Sequence, residues 1–177
     1  MDDITAKYLP RVILRALEPE DVAPLYEWEN LDESFLTGDK AAPYSLQQLT
    51  DYVLNYDADI FSARQLRLMI ADAETRESVG CVDLYDFDPV NSRAGVGIII
   101  APGLRKHGYG ASALASLASY CRDVLSIHQL YAIVGADNQP SRTLFESCGY
   151  KISGRLRSWL RRAGKYSDAY FYQLLLV

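Results

Sequence analysis

The chain is poor in residues that staple or ligate. It has three cysteines and two histidines among 177 residues. Cys81, Cys121 and Cys148 are odd in number, widely spaced and form no C-x-x-C, so neither a disulfide framework nor a zinc site is expected. We read them as three reduced thiols, small buried apolar groups in a cytoplasmic protein. No apolar run approaches the ~20 residues of a membrane span, so no membrane partner is expected. Met1-Asp2-Asp3-Ile4 lacks the basic segment followed by an apolar one that a secretory signal needs. Internal repeats, low-complexity stretches and long Pro/Gly/Ser linkers are missing too.

Positive charge is also short. Eighteen Lys+Arg face 23 Asp+Glu, a net charge of −5, which argues against a nucleic-acid partner. The deficit is uneven. Residues 1–60 hold 13 acids against 4 bases, and the remainder 10 against 14. One end could meet a cationic ligand and the other an anionic one.

What is present suits an ordinary globular protein. Hydrophobic residues make up 49% and charged residues 23%. A chain of this size buries about 70% of its unfolded surface, enough for one core. We therefore expect a single domain over residues 1–177. Strand and helix signals alternate throughout, which predicts an α/β or α+β fold. Residues 11–17 read as a first strand, and Glu18-Pro19-Glu20-Asp21 as a helix start, with Pro24 shifting that start or kinking the helix. Ser45-Leu46-Gln47-Gln48 is a capping-box pattern opening a helix to about Asn55, with Leu46, Leu49, Tyr52 and Val53 as its buried stripe. Residues 67–71, 79–85 and 94–100 read as three strands of an antiparallel meander. A helix over 110–124, a strand over 130–134, a helix opened at Asn138 and stopped at Gly149, and an apolar strand over 169–176 complete the pattern.

The chemistry concentrates in Gly97-Ile98-Ile99-Ile100-Ala101-Pro102-Gly103-Leu104-Arg105-Lys106-His107-Gly108-Tyr109-Gly110-Ala111. An apolar strand enters a basic, glycine-punctuated loop, which enters a helix. Such a loop can turn successive backbone N–H groups onto an anion, and the helix N-terminus and the charges of Arg105 and Lys106 add to the attraction. A pyrophosphate is the natural occupant. The loop is neither a Walker A motif nor a dinucleotide fingerprint, since Gly110 is followed by Ala111-Ser112 and no third glycine completes the pattern.

Arg105-Lys106-His107-Gly108-Tyr109-Gly110 resembles the R/Q-x-x-G-x-G/A signature of the GCN5-related N-acetyltransferases. Asn138 and Ser141 followed by Leu144-Phe145-Glu146-Ser147-Cys148-Gly149-Tyr150 resemble that family's N-x-x-S and L-Y-E-K-x-G-F segments. The opening Leu14 to Asp21 with Trp28-Glu29-Asn30, and the tail Gly164 to Asp168, resemble the ribosomal-protein and polyamine acetyltransferase branch. The resemblance implies a mixed, mostly antiparallel seven-stranded sheet flanked by helices, with acetyl-CoA between two splayed central strands and no metal. It implies that Ile98, Ile99 and Ile100 hold the pantetheine arm. The amides of Arg105, Lys106, His107, Gly108, Tyr109, Gly110 and Ala111 would hold the pyrophosphate, and Asn138 and Ser141 the far wall. Asn138 could equally be a helix N-cap, and Ser141 a first-turn helix residue.

The implied reaction is attack of an amine on the thioester. An alkyl amine has a pKa near ~10.4, so the site must take a proton from it or desolvate it. A strand N–H at Ile98 or Ile99 would stabilise charge on the carbonyl oxygen. Two departures stand out. Phe145 occupies the position of the family's acid Tyr, leaving Tyr109, Tyr131 and Tyr150 as stand-ins. Gly95 occupies the position of a strand Glu, giving room or flexibility. The remaining bases are Asp83, Asp86 and Asp88, and Glu29, Asp32 and Glu33, with Glu33 and Asp83 foremost. The acceptor expected is a small cationic, polyamine-like molecule or a protein N-terminus, and a homodimer is possible. The rival class is a non-catalytic acyl-CoA-binding or regulatory module. The basic tract from Lys151 to Lys165, with Trp159 at its centre, reads as a contact surface or a solvated hairpin.

Overall fold

The computed structural model describes residues 9–31, 42–162 and 164–176. Strand β1 (Val12–Arg15) leads through a 3-10 turn (Pro19–Asp21) into helix α1 (Val22–Glu29). Helix α2 (Leu46–Leu54) and a single turn α3 (Ile60–Ala63) come next. The meander β2 (Leu66–Asp72), β3 (Ser78–Asp88) and β4 (Arg93–Ile100) follows as the apolar alternation predicted. Helix α4 (Tyr109–Asp123), β5 (Gln129–Gly135), α5 (Gln139–Ser147), β6 (Lys151–Arg162) and β7 (Lys165–Leu175) complete the order. The strands make one seven-stranded sheet in the order β1-β2-β3-β4-β5-β7-β6.

Local chemistry places the turns. Asp72 accepts from the N–H groups of Glu74 and Thr75 and folds β2 into β3. Asp88 accepts from those of Val90 and Asn91 and folds β3 into β4. The capping box at Ser45 forms in both directions, Gln48 N–H to Ser45 Oγ at 3.1 Å and Ser45 N–H to Gln48 Oε1 at 2.8 Å. Leu49 and Val53 are buried as expected and Tyr52 is half-buried, but Leu46, in the first turn, is exposed. Pro24 shifts the start: it has no N–H to bond to Glu20 O, and the α-helix begins at Val22 after the 3-10 turn. Pro24 lies in the first turn, where an N–H has no intrahelical partner to lose. The basic tract is strand β6 at the sheet edge, with Trp159 exposed and Arg155 paired to Asp168 of β7.

The sheet buries a different cluster on each face. One face packs Val82, Leu84, Val96, Leu130 and Ala132 against Leu114 and Leu117 of α4 and Phe145 of α5. The other packs Met69 and Cys81 against Leu25, Trp28 and Val53 of α1 and α2. A buried ion pair ties α1 to the sheet: Asp21 accepts from Arg15 at 2.6 and 2.7 Å and from Ser78 Oγ at 3.1 Å. Burial raises the Asp21 pKa, but Arg15 and the Glu18 N–H outweigh it and hold the carboxyl below its ordinary value. The Cys121 thiol, pushed up to about 12 by burial, is inert core. No helix among the described residues is long and apolar enough to cross a membrane.

Candidate active site

The central pair of strands does not stay paired. β4 and β5 run parallel, yet they are in register only over Arg93–Gly95 and Gln129–Tyr131. Beyond that they part, and the gap opens at their C-terminal ends, where the loops after both strands stand. Crevices at such ends are where open α/β sheets bind ligands.

Which β4 groups face the gap follows from ladder alternation. Ala101 donates to Val79 O of β3, and Ser92 O accepts from His128 and Gln129 at the start of β5. Odd-numbered β4 residues therefore bond to β3. Ile98 and Ile100 turn their N–H and C=O groups to the side that β5 has left. Of the two expected oxyanion donors, Ile98 faces the gap and Ile99 does not, because Ile99 is tied into the ladder opposite Cys81.

The signature loop closes the mouth. Lys106 and Gly108 both take left-handed backbone conformations, with φ of 65° and 89°, and α4 starts directly after them. Arg105 folds back, donating from Nε to Ile100 O at 3.1 Å. Lys106 and His107 are exposed. A Cβ on Gly108 would lie 2.9 Å from Leu9 and Pro10, and one on Gly110 would lie 3.1 Å from Leu144 Cδ2. These glycines thus grant a left-handed turn and the close approach of α4 to α5, and their missing side chains point into protein, not into the cradle. Asn138 is the N-cap of α5, its Oδ1 accepting from Ser141 N–H at 3.2 Å.

The face of β4 opposite α4 carries a second feature. Arg67, Asp83 and Gly97 are register neighbours on β2, β3 and β4. Arg67 donates to both oxygens of Asp83, at 2.6 and 2.8 Å, and lies 2.7 Å from Glu29 of α1. Glu29 is buried, with 2% of its side chain exposed. Burial disfavours the Arg67 charge, but Asp83 more than offsets it, and the pKa is raised. Tyr52 stands under the guanidinium at 5.7 Å, and Tyr56 Oη accepts from the Arg67 backbone N–H. A cavity of about 220 Å³ opens here, lined by Tyr52, Tyr56, Arg67, Asp83, Tyr85 and Gly97 among others. A second of about 240 Å³ shares Tyr52, Tyr56 and Gln65 and adds Asp51 and Asp57. Burial raises the pKa of both Tyr52 and Tyr56, so these walls stay protonated.

The expected residues sort accordingly. Asp83 reaches the cavity beside Gly97, whereas Glu33 lies outside the described residues. Gly95 gives no room, because the Tyr85 ring occupies it. Among the stand-in phenols, Tyr109 donates to Asp72 at 2.7 Å at the end of β2. Tyr131 sits between Tyr85 and Phe171 in an aromatic row. Tyr150 is buried against Phe145, has no hydrogen-bond partner among the described residues, and its pKa is raised by burial. Arg67, Tyr52, Tyr56 and Tyr85 were not singled out from sequence as partners of one cavity. The available signal was a charge on the same alternation phase of two successive strands.

Comparison with known proteins agrees with this architecture. Residues 11–151 match the model of the acetyltransferase (GNAT) domain. The spermidine N(1)-acetyltransferase of Escherichia coli strain K12 is 28% identical over 160 residues, covering 89% of this chain and 82% of that protein. The crystal structure of spermidine N-acetyltransferase from Vibrio cholerae in complex with CoA and spermine superposes with a TM-score of 0.83 at 25% identity, over 94% of this chain and 96% of that one. A dodecameric structure of the Vibrio enzyme in an intermediate state gives a TM-score of 0.77 at 25% identity, over 94% of each chain.

Proposed function

The chain belongs to the GNAT acetyltransferase family, and we propose that it transfers the acetyl group of acetyl-CoA to a primary amine of a small cationic, polyamine-like molecule or of a protein N-terminus. The observation that carries this reading is the junction at Gly97 and Ile98. There the edge of β4 that β5 has left meets a cavity walled by tyrosines and a carboxylate. Spermidine acetyltransferases among the relatives support the polyamine-like acceptor.

The residues present fit acetyl-CoA. Its amide-bearing arm needs donors and acceptors spaced like a strand, which Ile98 and Ile100 offer toward the gap. Its phosphates need backbone N–H groups and cations, which the loop from Arg105 to Ala111 and the start of α4 offer. Bound there, it supplies the activated acetyl carbon.

The chain's own residues do the rest. Asp83 orients the acceptor nitrogen and receives its proton. The Ile98 N–H steadies the charge that develops on the carbonyl oxygen, worth roughly 2.7–4 kcal/mol for one well-aimed donor. Holding both reactants at one strand removes much of the entropic cost of their meeting. Phe145 and the buried Tyr150 provide no proton for the departing sulfur. A thiol with a pKa near ~8.5 leaves without strong acid help.

The filled Gly95 and the apolar Phe145 also suit a protein that binds acyl-CoA without turnover. One assay separates the readings: acetyl-CoA with polyamines, aminoglycosides and N-terminal peptides, followed by thiol release. Release with at least one amine is expected, and tight CoA binding without release from any of them overturns the enzyme reading. Self-association is part of the proposal, as a homodimer or a larger assembly, supported by the dodecameric Vibrio form.

A further inference from the structure

A guanidinium is an odd companion for an amine-binding pocket. Arg67 nevertheless lines the cavity beside Gly97, with only 16% of its side chain exposed. We propose that Arg67, held by Glu29, is a specificity-determining residue of the acceptor pocket. Its guanidinium stands beyond Asp83, where a second cation of the acceptor would come to rest, and so shifts preference toward amines with an uncharged neighbouring arm. This rests on the acceptor reading above.

The geometry sets the scale. Neighbouring strands lie about 4.8 Å apart, so the Arg67 backbone is roughly 10 Å from Gly97, with Asp83 between them. An arm of three methylenes carries a second nitrogen about 5 Å from the reacting one. From a reacting nitrogen held at Asp83 beside Gly97, that reach ends at the guanidinium of Arg67, which engages both Asp83 oxygens. Glu29 matters because it supplies a second countercharge to the guanidinium from the helix side. Tyr52 beneath it and Tyr56 on its backbone remove the remaining freedom. Glu29, Arg67 and Asp83 together carry one net negative charge, and that charge is shared out around a cation. Without Arg67, the carboxylate of Asp83 would face the cavity uncompensated. The remaining walls, Tyr52, Tyr56, Tyr85 and Leu66, suit a hydrocarbon arm.

The test compares spermidine with an alkyl monoamine of equal length, by thiol release from acetyl-CoA. The variants are Arg67→Met, Arg67→Lys, and Arg67→Gln combined with Glu29→Gln. The double variant removes the buried Glu29 charge together with its cation and leaves only the partly exposed Asp83 unpaired, so it should fold even where Arg67→Met does not. Melting temperature and CoA binding verify that. In the double variant the ratio of kcat/KM for spermidine over the monoamine should rise about tenfold, through a lower KM for spermidine. That lies between the roughly fourfold effect of one unit charge at about 5 Å in water and the few-hundredfold effect near a protein surface. Arg67→Lys, which keeps the charge, should stay near the wild-type ratio. An unchanged or lower ratio in a CoA-binding double variant overturns the inference, as does an equal rise in Arg67→Lys. Thiol release from no amine by the wild type overturns the acceptor reading and this inference with it.

Discussion

A methyl group on Gly95 would stand 2.3 Å from Cε2 of Tyr85. The two residues face each other across β3 and β4, and the ring lies over the glycine where any other residue would place a side chain. The tyrosine continues an aromatic row through Tyr131 to Phe171, on the face of the sheet that holds the candidate acceptor cavity. The space where the family resemblance places a carboxylate is thus filled by a neighbour's ring.

Restoring the family's carboxylate should therefore fail alone and succeed in combination. Gly95→Glu should destabilise the protein by about 1–3 kcal/mol through overpacking. Gly95→Glu with Tyr85→Ala should recover most of that loss in chemical denaturation. Equal stability of the two variants would refute the steric account.

The opposite directions of the Ile98 and Ile99 amides predict different outcomes for one substitution. Ile98→Pro removes an N–H that faces the gap. It should leave a folded protein whose kcat is about 10²–10³ lower, the loss seen when one oxyanion donor is removed. Ile99→Pro removes a ladder hydrogen bond to β3 and should cost about 3 kcal/mol or more in stability. Circular dichroism melts together with turnover measurements distinguish the two.

Asp83→Asn keeps shape and removes the charge beside Gly97. Turnover with any primary amine should fall at least tenfold, while CoA affinity, measured by calorimetry, should stay within about twofold of wild type, since the residue lies on the cavity side of β4. A parallel loss of CoA binding would place Asp83 in the cofactor site instead.

Acid should weaken the tether between α1 and the sheet. Asp21 has a pKa held below its unfolded value, so its stabilisation is complete above the unfolded pKa of ~3.9 and disappears as pH falls through the lower folded value. Asp21→Asn should cost about 1–3 kcal/mol at pH 7. The difference between wild type and variant in urea denaturation should stay level from pH 7 to about pH 5 and shrink below pH 4. A difference that grows on acidification would contradict the ion pair.

Much of this molecule was legible one segment at a time. Ser45 to Gln48 announced a helix because a capping box needs only four residues. Gly149 announced a helix stop, and it does take a positive φ of 88°. The loop from Arg105 to Gly110 was readable because glycines, basic residues and a following helix are consecutive in the chain. The long strand β6 was harder, because an edge strand rich in arginine has no buried alternation to reveal it.

Sequence by itself therefore determined the elements, the anion loop and the family, all of which rest on contiguous residues and short periodicities. Only the tertiary structure decided which β4 amide faces the gap, what fills the space above Gly95, and that Glu29, Arg67 and Asp83 meet. The ladder's bonding phase is set by the pairing of β4 with β3, and the contacts in question join residues 10 to 38 positions apart. No local pattern encodes such pairings, because they come from packing of the folded sheet against α1 and α2.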